Sequence, residues 1–173
     1  APDDMLFHMR STYGGTYVWT NGVLEKLDGK VSDAIQSLVY PYWHPSGDYV
    51  AFSTNQTKQM FHMKDKNRIE VFDMSSDVLV YDVKNHRVVT DSLLFSKQAF
   101  ETFPSFSPDG KTLYFSSSVA QKMPIDYKKV KYNICSISFD AETGRFGTQV
   151  DTLFSVEQTG KTGTFPRVSP DGK

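Results

Sequence analysis

A stretch containing proline and glycine occurs three times in this chain at nearly equal distances. The most complete copy covers residues 103–111 (Phe-Pro-Ser-Phe-Ser-Pro-Asp-Gly-Lys), and the other two cover residues 40–48 and 165–173. The second proline of each copy, Pro45, Pro108 or Pro170, lies 63 or 62 residues from the next. Because a fixed period is typical of repeat architectures, the spacing predicts a fold built from similar units.

The repeated Ser-Pro-Asp-Gly run predicts a tight turn between two antiparallel strands. Proline presets φ at the second position, aspartate suits the third, and glycine accepts the positive φ that follows. The first copy has His44 in place of the turn serine, and its Ser46-Gly47-Asp48 keeps the turn chemistry. The predicted structural turn residues are Pro45, Gly47, Pro108, Asp109, Gly110, Pro170, Asp171 and Gly172.

Strands are predicted on both sides of each turn. After the turn, residues 49–54 and 112–117 are apolar and rich in strand formers, and Val50 and Phe52 share one face, as in a half-buried strand. Before the turn, each copy has a proline in a short aromatic strand. Proline has no N–H for a central ladder, so these strands are predicted to be edges. The prolines are Pro41, Pro104 and Pro166.

The aromatic-Pro-x-aromatic-Ser-Pro-Asp-Gly-Lys run, followed by a strand ending in Phe-Ser, resembles the repeat of TolB-like β-propellers. These are WD-repeat-like proteins of the bacterial cell envelope. The resemblance implies an all-β propeller of four-stranded antiparallel blades, with about three blades here as part of a six- to eight-bladed ring. The implied units are residues 4–48, 49–111 and 112–173, each with strand order two-three-four-one.

The second and third units contain insertions. Residues 55–68 are polar and are expected to form a surface excursion or a helical turn. They are followed by an extra strand or extended segment at 69–73 and by the third blade strand at 77–83. In the third unit, residues 120–131 form a shorter, basic insertion before the strand 133–140. Aligning the two units places Cys135 at the position of Leu79 and Ile137 at that of Tyr81, on one apolar face.

Three periods are too few to close a ring of roughly four to eight blades. We therefore expect the chain to be part of a longer propeller, the alternative being a homodimer whose two copies complete a ring. The N-terminal Ala1-Pro2-Asp3-Asp4 has no signal-peptide pattern, which predicts a processed form or an excised piece.

Composition argues against several classes of partner and site. With 19 basic and 20 acidic residues the net charge is −1, which disfavours nucleic acid as a partner. No stretch approaches the ~20 apolar residues of a membrane span. The single cysteine, Cys135, allows no intrachain disulfide and is predicted to be a small core residue. The four histidines lack ligand spacing, so no metal site is assigned. The sequence has no nucleophile elbow, phosphate loop or Cys-x-x-Cys-His haem motif, so no catalytic residue or cofactor is assigned.

Two segments are candidates for binding a partner. The insertion containing Met60, Phe61, Met63 and Lys64 combines methionine with an aromatic residue, a composition that adapts to partners. Lys128 and Lys129 belong to a basic cluster that would suit an acidic partner, although a solvated loop is the explanation that the sequence favours there.

The leading functional hypothesis is a non-enzymatic binding or scaffold propeller with a protein or peptide partner, or alternatively a glycan. Similarity to TolB implies the periplasm or outer envelope of a Gram-negative bacterium. Two enzyme hypotheses stand beside it: the gating domain of a larger prolyl-oligopeptidase-like peptidase, and a propeller-type oligosaccharide lyase. The fold alone decides between none of them.

Overall fold

The structure is a computed structural model that describes residues 5–9, 15–20, 23–26, 38–61 and 69–172. Its strands, numbered in chain order, are β1 (Met5–Met9), β2 (Gly15–Thr20), β3 (Val23–Lys26), β4 (Leu38–Trp43), β5 (Tyr49–Phe61), β6 (Ile69–Asp82), β7 (Arg87–Val89), β8 (Ala99–Phe106), β9 (Thr112–Val119), β10 (Asn133–Asp140), β11 (Arg145–Phe146) and β12 (Asp151–Phe154). A 3-10 helix, Tyr127–Lys129, and one short helix, α1 (Val156–Thr159), complete the described elements.

These strands form three antiparallel sheets, each following the order of the chain. The first is β1-β2-β3 and the second is β4-β5-β6-β7. The third runs β8-β9-β10-β11, and β12 also pairs with β10. The prediction of an all-β fold with four-stranded antiparallel blades is confirmed, while the boundaries of the three units stay a prediction.

The proline-containing strands lie at sheet edges, as expected. β4 and β8 each pair on one side only, and the register shifts between Val39 and Tyr42 and between Thr102 and Ser105. These shifts accommodate the proline, which has no N–H to donate. The third copy differs from the prediction, because the segment around Pro166 has no ladder partner in the described residues and is not a strand.

The core lies on both faces of the second sheet. On one face Val50, Phe52, Leu79 and Tyr81 form a buried cluster with Leu38. The opposite face packs against the third sheet and forms a larger cluster that includes Val78 and Val80. Since successive residues of a strand point to opposite faces, this alternation follows directly from the sequence.

The predicted register between the two units is confirmed. Leu79 pairs with Phe52 in the second sheet, and Cys135 pairs with Phe115 at the corresponding place in the third. Cys135 is 4% exposed and lies in the larger core cluster, as predicted for a small core residue.

In the described part of the insertion, residues 55–61 are strand rather than helical turn, and the strand predicted at 69–73 is present as the start of β6. β5 and β6 pair along their full length, with one register shift between Gln56 and Thr57. Residues 55–61 and 69–76 therefore form a hairpin, here called the arm, that extends the blade. Pairing satisfies the backbone hydrogen bonds of these polar residues without requiring an apolar face, and for that reason a hydrophobic pattern could not reveal it. Residues 62–68 lie outside the described ranges.

Within the described ranges, no helix has the length and apolar character needed to cross a membrane.

Candidate interaction site

The three copies of the repeated stretch, here called the corners, contain the same turn. In each, the glycine N–H donates to the carbonyl three residues before it, at 2.8–2.9 Å. Gly47, Gly110 and Gly172 have φ of 80°, 74° and 74°. At the second corner Asp109 accepts from the Ser107 hydroxyl at 2.5 Å and from the Lys111 N–H at 3.0 Å. The Ser107 hydrogen bond, followed by that of Lys111, holds the pKa of Asp109 below its usual range.

The structure places the predicted partner-binding residues in two segments. Met60 and Phe61 belong to β5, where they pair with Glu70 and Ile69. Lys128 and Lys129 belong to the 3-10 helix of the second insertion. Met63 and Lys64 lie outside the described residues.

The arm and the basic insertion meet through an aromatic contact. The ring centroids of Phe72, on β6, and Tyr127, in the 3-10 helix, are 5.2 Å apart at an interplanar angle of 69°. Ile125 is 72% exposed and Tyr127 is 41% exposed. We call the patch formed by Phe72, Ile125, Tyr127 and Lys128 the arm surface. Its exposed apolar side chains are of the kind that mark interaction sites.

The lysines beside the arm surface are in different environments. Lys129 forms an ion pair with Asp126, with Nζ and Oδ1 2.9 Å apart. Lys128 has no ion pair in the described residues, and its Nζ lies 5.8 Å from the centroid of the Tyr127 ring. The arm surface therefore carries positive charge that is not neutralised within the described part of the chain.

A polar cavity adjoins the other side of the basic insertion. Its volume is about 550 Å³, and it lies between the end of β9, the insertion and α1. Lys129 and Lys131 line it together with Glu157 and Ser118. With both charges on its walls, it favours neither an anion nor a cation.

The aromatic residues that precede the first proline of each corner contact one another and form a cluster of rings. From the sequence they were predicted only to lie in strands. Tyr40, Phe103 and Phe165 have φ of 53°, 55° and 53°, in the left-handed region. Phe103 stacks on Phe165 with centroids 3.8 Å apart, and Tyr40 meets Phe103 edge-on at 4.7 Å. We call these three residues the ring cluster. The signal was the aromatic residue before proline in all three copies.

Two carboxylates, Asp73 and Glu101, influence the tyrosines at the ring cluster through their charge. Burial, followed by the charge of Asp73, raises the pKa of Tyr40. Burial raises the pKa of Tyr132 to about 12, with Asp73 and Glu101 contributing. The Tyr132 ring lies 6.4 Å from that of Phe103. Asp73 and Glu101 are thus within electrostatic reach of the rings.

Glu101 is the most unusual of these carboxylates, and it is not among the residues predicted from the sequence. It is 3% exposed, and its Oε2 atom has no hydrogen-bond partner in the described residues. Burial, followed by the charge of Asp77, raises the pKa of Glu101 to about 7. Aligning the corners on their prolines places Glu101 where the preceding unit has Leu38, a core residue. That mismatch within the repeat could have identified it.

Within the described ranges no group of three or more histidine, cysteine, aspartate or glutamate side chains is arranged to hold a metal ion.

The comparison with solved structures identifies the fold. The structure of a putative TolB from Agrobacterium tumefaciens is similar to this chain, with a TM-score of 0.60 and 13% sequence identity. The match covers 98% of this chain and 47% of the TolB chain. The match to TolB from Acinetobacter baumannii covers 98% of this chain and 45% of that TolB chain, with 13% sequence identity and a TM-score of 0.35. The chain thus spans less than half the length of these structures. No family model and no curated protein matches the sequence. The chain has a TolB-like β-propeller fold, as the repeat predicted.

Proposed function

We propose that this TolB-like propeller is a non-enzymatic binding scaffold of the cell envelope whose arm surface engages a protein partner with acidic residues. The contact between Phe72 and Tyr127 carries the proposal, because it connects the arm to the basic insertion and makes one surface of two segments distant in the sequence. Rigid scaffolds commonly present binding residues on such segments.

Exposure and charge support a protein as the partner. Ile125 and Tyr127 expose apolar area that a partner would bury, and Lys128 is free of ion pairs in the described residues. Aromatic side chains beside a polar rim are typical of the centre of protein interfaces. A cation at the rim attracts a partner of opposite charge and speeds association.

The envelope location rests on the resemblance of the repeat to TolB-like propellers. A glycan is the alternative ligand, and a homodimer that completes a ring is the alternative assembly. At the level of the whole protein the peptidase and lyase hypotheses also remain. A Gly-x-Ser-x-Gly motif within an α/β pattern elsewhere in the parent sequence would favour the peptidase.

The test is cross-linking of the chain to proteins of an envelope extract, followed by identification of the products. We compare the wild type with Ile125→Asp and Lys128→Glu. Lys84→Glu is the matched control, since Lys84 is exposed in the turn between β6 and β7, away from the arm surface. Circular dichroism and the urea midpoint of each variant establish that it is folded.

We expect one acidic protein to cross-link to the wild type and to Lys84→Glu, and to be lost or strongly reduced with Ile125→Asp and Lys128→Glu. The proposal fails if the same products form equally with all four proteins, or if Lys84→Glu loses the same product as the arm-surface variants.

A further inference from the structure

We propose that the ring cluster, together with Asp73 and Glu101, forms a second binding site that takes the guanidinium group of an arginine from a protein partner. The site lies at the base of the arm and goes beyond the function proposed above. Its charge preference is opposite to that of the arm surface. The two proposals therefore stand or fall separately.

The rings provide faces for a cation. Tyr40 is 40% exposed and Phe165 is 50% exposed, whereas Phe103, between them, is 9% exposed. Tyr40 and Phe165 are perpendicular, at 86°, with centroids 5.8 Å apart. The cluster thus has a buried member and two accessible ones set at a right angle. The negative face of an aromatic ring attracts cations, and arginine is the most frequent partner in proteins.

Two buried acceptor atoms at the base of the arm lack donors in the described residues. Asn55 Oδ1 and Glu101 Oε2 are buried and have no hydrogen-bond partner in the described residues. The Asn55 side chain donates to Asp73, so its oxygen is the atom left over. The Tyr132 ring, 6.4 Å from that of Phe103, connects the cluster to these groups, since the charges of Asp73 and Glu101 both contribute to its raised pKa. An unsatisfied buried acceptor calls for a donor, and guanidinium carries five N–H donors and no acceptor.

The charge of the site is unbalanced. In the part of the chain that the structure describes, the ion pairs join Arg87 to Asp82 and Lys129 to Asp126, so neither involves Asp73 or Glu101. Arg167 lies beside another ring, with Cζ 5.1 Å from the Tyr42 centroid. A cation from outside would supply the missing charge.

The repeat itself indicates that Glu101 serves binding. Leu38 fills the equivalent position in the preceding unit and is 1% exposed. A leucine at 101 would satisfy packing, whereas a carboxylate there must be desolvated. A charged residue that breaks the local pattern of a fold is expected at a functional site.

Guanidinium is favoured over ammonium by its shape. It is planar, stacks on aromatic faces and is weakly hydrated, so it loses less hydration free energy than an ammonium group on entering a half-buried site. A site that combines stacked rings with separated acceptors matches this group better than it matches a compact, strongly hydrated ammonium.

The experiment titrates the 173-residue chain with the capped peptide acetyl-Gly-Arg-Gly-amide and follows the aromatic and backbone NMR signals. The peptide with citrulline in place of arginine is the neutral control of nearly identical shape, and a lysine peptide is the second comparison. The protein variants are Asp73→Asn and Tyr40→Ala, with Asp48→Asn as the matched control at an exposed carboxylate of the first corner. Tyr40→Phe keeps a ring at the site should Tyr40→Ala fail to fold.

We expect shifts at Tyr40, Phe165 and Tyr132, with the citrulline peptide binding at least tenfold more weakly than the arginine peptide. Asp73→Asn and Tyr40→Ala should weaken arginine binding at least tenfold, whereas Asp48→Asn and Tyr40→Phe should change it less than twofold. Equal binding of the arginine and citrulline peptides, or unchanged binding by Asp73→Asn, would overturn the site. Equal binding of the lysine peptide would overturn the assignment to guanidinium.

Discussion

His44 Nε2 donates a hydrogen bond to the carbonyl oxygen of Gly110 at 2.9 Å and so joins the corners of two successive blades. A carbonyl oxygen only accepts, which places the proton on Nε2. The other ring nitrogen, Nδ1, accepts from the Ser46 N–H at 3.1 Å. His44 stands where the second corner has Ser107, as the sequence predicted, and it adds a contact between blades that serine is too short to make.

Replacing Gly110 with alanine should be strongly destabilising. Gly110 has φ of +74°, and an added Cβ would lie 2.3 Å from His44 Nε2. The left-handed backbone alone costs a non-glycine residue about 1–2 kcal/mol, and displacement of His44 adds to this. We expect a loss on the order of 3 kcal/mol in the free energy of unfolding, measured by urea denaturation.

Gly172→Ala is the matched control for this prediction. Gly172 has the same φ of +74°, but nothing lies within 4 Å of its added Cβ. Gly172→Ala should therefore lower the free energy of unfolding only by the cost of the left-handed backbone. Gly110→Ala should lower it less in a His44→Ser background than in the wild type. Equal losses for the two glycines would show that the contact with His44 contributes nothing.

Ser53 should contribute more to stability than its counterpart Ser116, although both follow the phenylalanine of their repeat and are fully buried. The Ser53 hydroxyl accepts from the Phe103 N–H at 3.1 Å and lies 3.2 Å from Thr102 Oγ1. Ser53→Ala leaves a buried N–H without its acceptor, which costs about 1–3 kcal/mol.

The hydroxyl of Ser116 has no hydrogen-bond partner in the described residues. Ser116→Ala should therefore be neutral or slightly stabilising in the same urea experiment. A loss from Ser116→Ala as large as that from Ser53→Ala would contradict this account.

Glu101 should make the chain less stable as the pH rises. Its pKa is about 7 in the folded state against an ordinary 4.5. Between these values the folded chain keeps the proton and the unfolded chain has lost it, so stability falls from about pH 4.5 to about pH 7 and stays low above. The effect is on the order of 3 kcal/mol. Glu101→Gln should remove this loss, as seen in urea midpoints at pH 4.5 and pH 8.

Glu142→Gln is the control for this titration, because Glu142 is exposed. Glu101→Leu, which installs the residue of the preceding unit, should stabilise the chain at pH 8 more than Glu101→Gln does, since it also removes a buried polar group. If Glu101→Gln follows the pH dependence of the wild type, the carboxyl does not titrate in this range.

Cys135 should react slowly with thiol reagents while the chain is folded. It is 4% exposed, and burial raises the pKa of its thiol, which lowers the fraction of reactive thiolate. We expect alkylation by iodoacetamide at pH 8 to be at least tenfold slower in buffer than in concentrated urea. Because the chain has one cysteine, mass spectrometry reads the reaction directly. Similar rates in the two solutions would contradict its place in the core.

Much of the fold was predictable because the turn in each corner depends only on a few neighbouring residues. Proline and glycine set the turn wherever they occur, and the alternation around Leu79 and Cys135 sets which face is buried. The arm was not predictable in this way. Residues 69–73 were predicted as an extra strand or extended segment, but residues 55–59 are polar and lack the pattern of a half-buried strand. The pairing from Asn55–Ser76 to Phe61–Ile69 shows that both segments continue one hairpin beyond the core.

The candidate site was predictable in its parts but not in its assembly. Lys128 and the methionine-rich insertion were identified from composition, whereas the contact between Phe72 and Tyr127 joins segments more than fifty residues apart. Composition identifies what a surface is made of, and it carries no information on which surfaces meet.

The sequence by itself determined the repeated turn and the strands beside it, because a tight turn and the alternation of buried and exposed residues depend only on neighbouring residues. The tertiary structure alone decided that Tyr40, Phe103 and Phe165 would converge and that Glu101 would be buried. Such convergence depends on how one sheet packs against the next. That packing is set by the summed contacts of whole faces, which no single copy of the repeat contains.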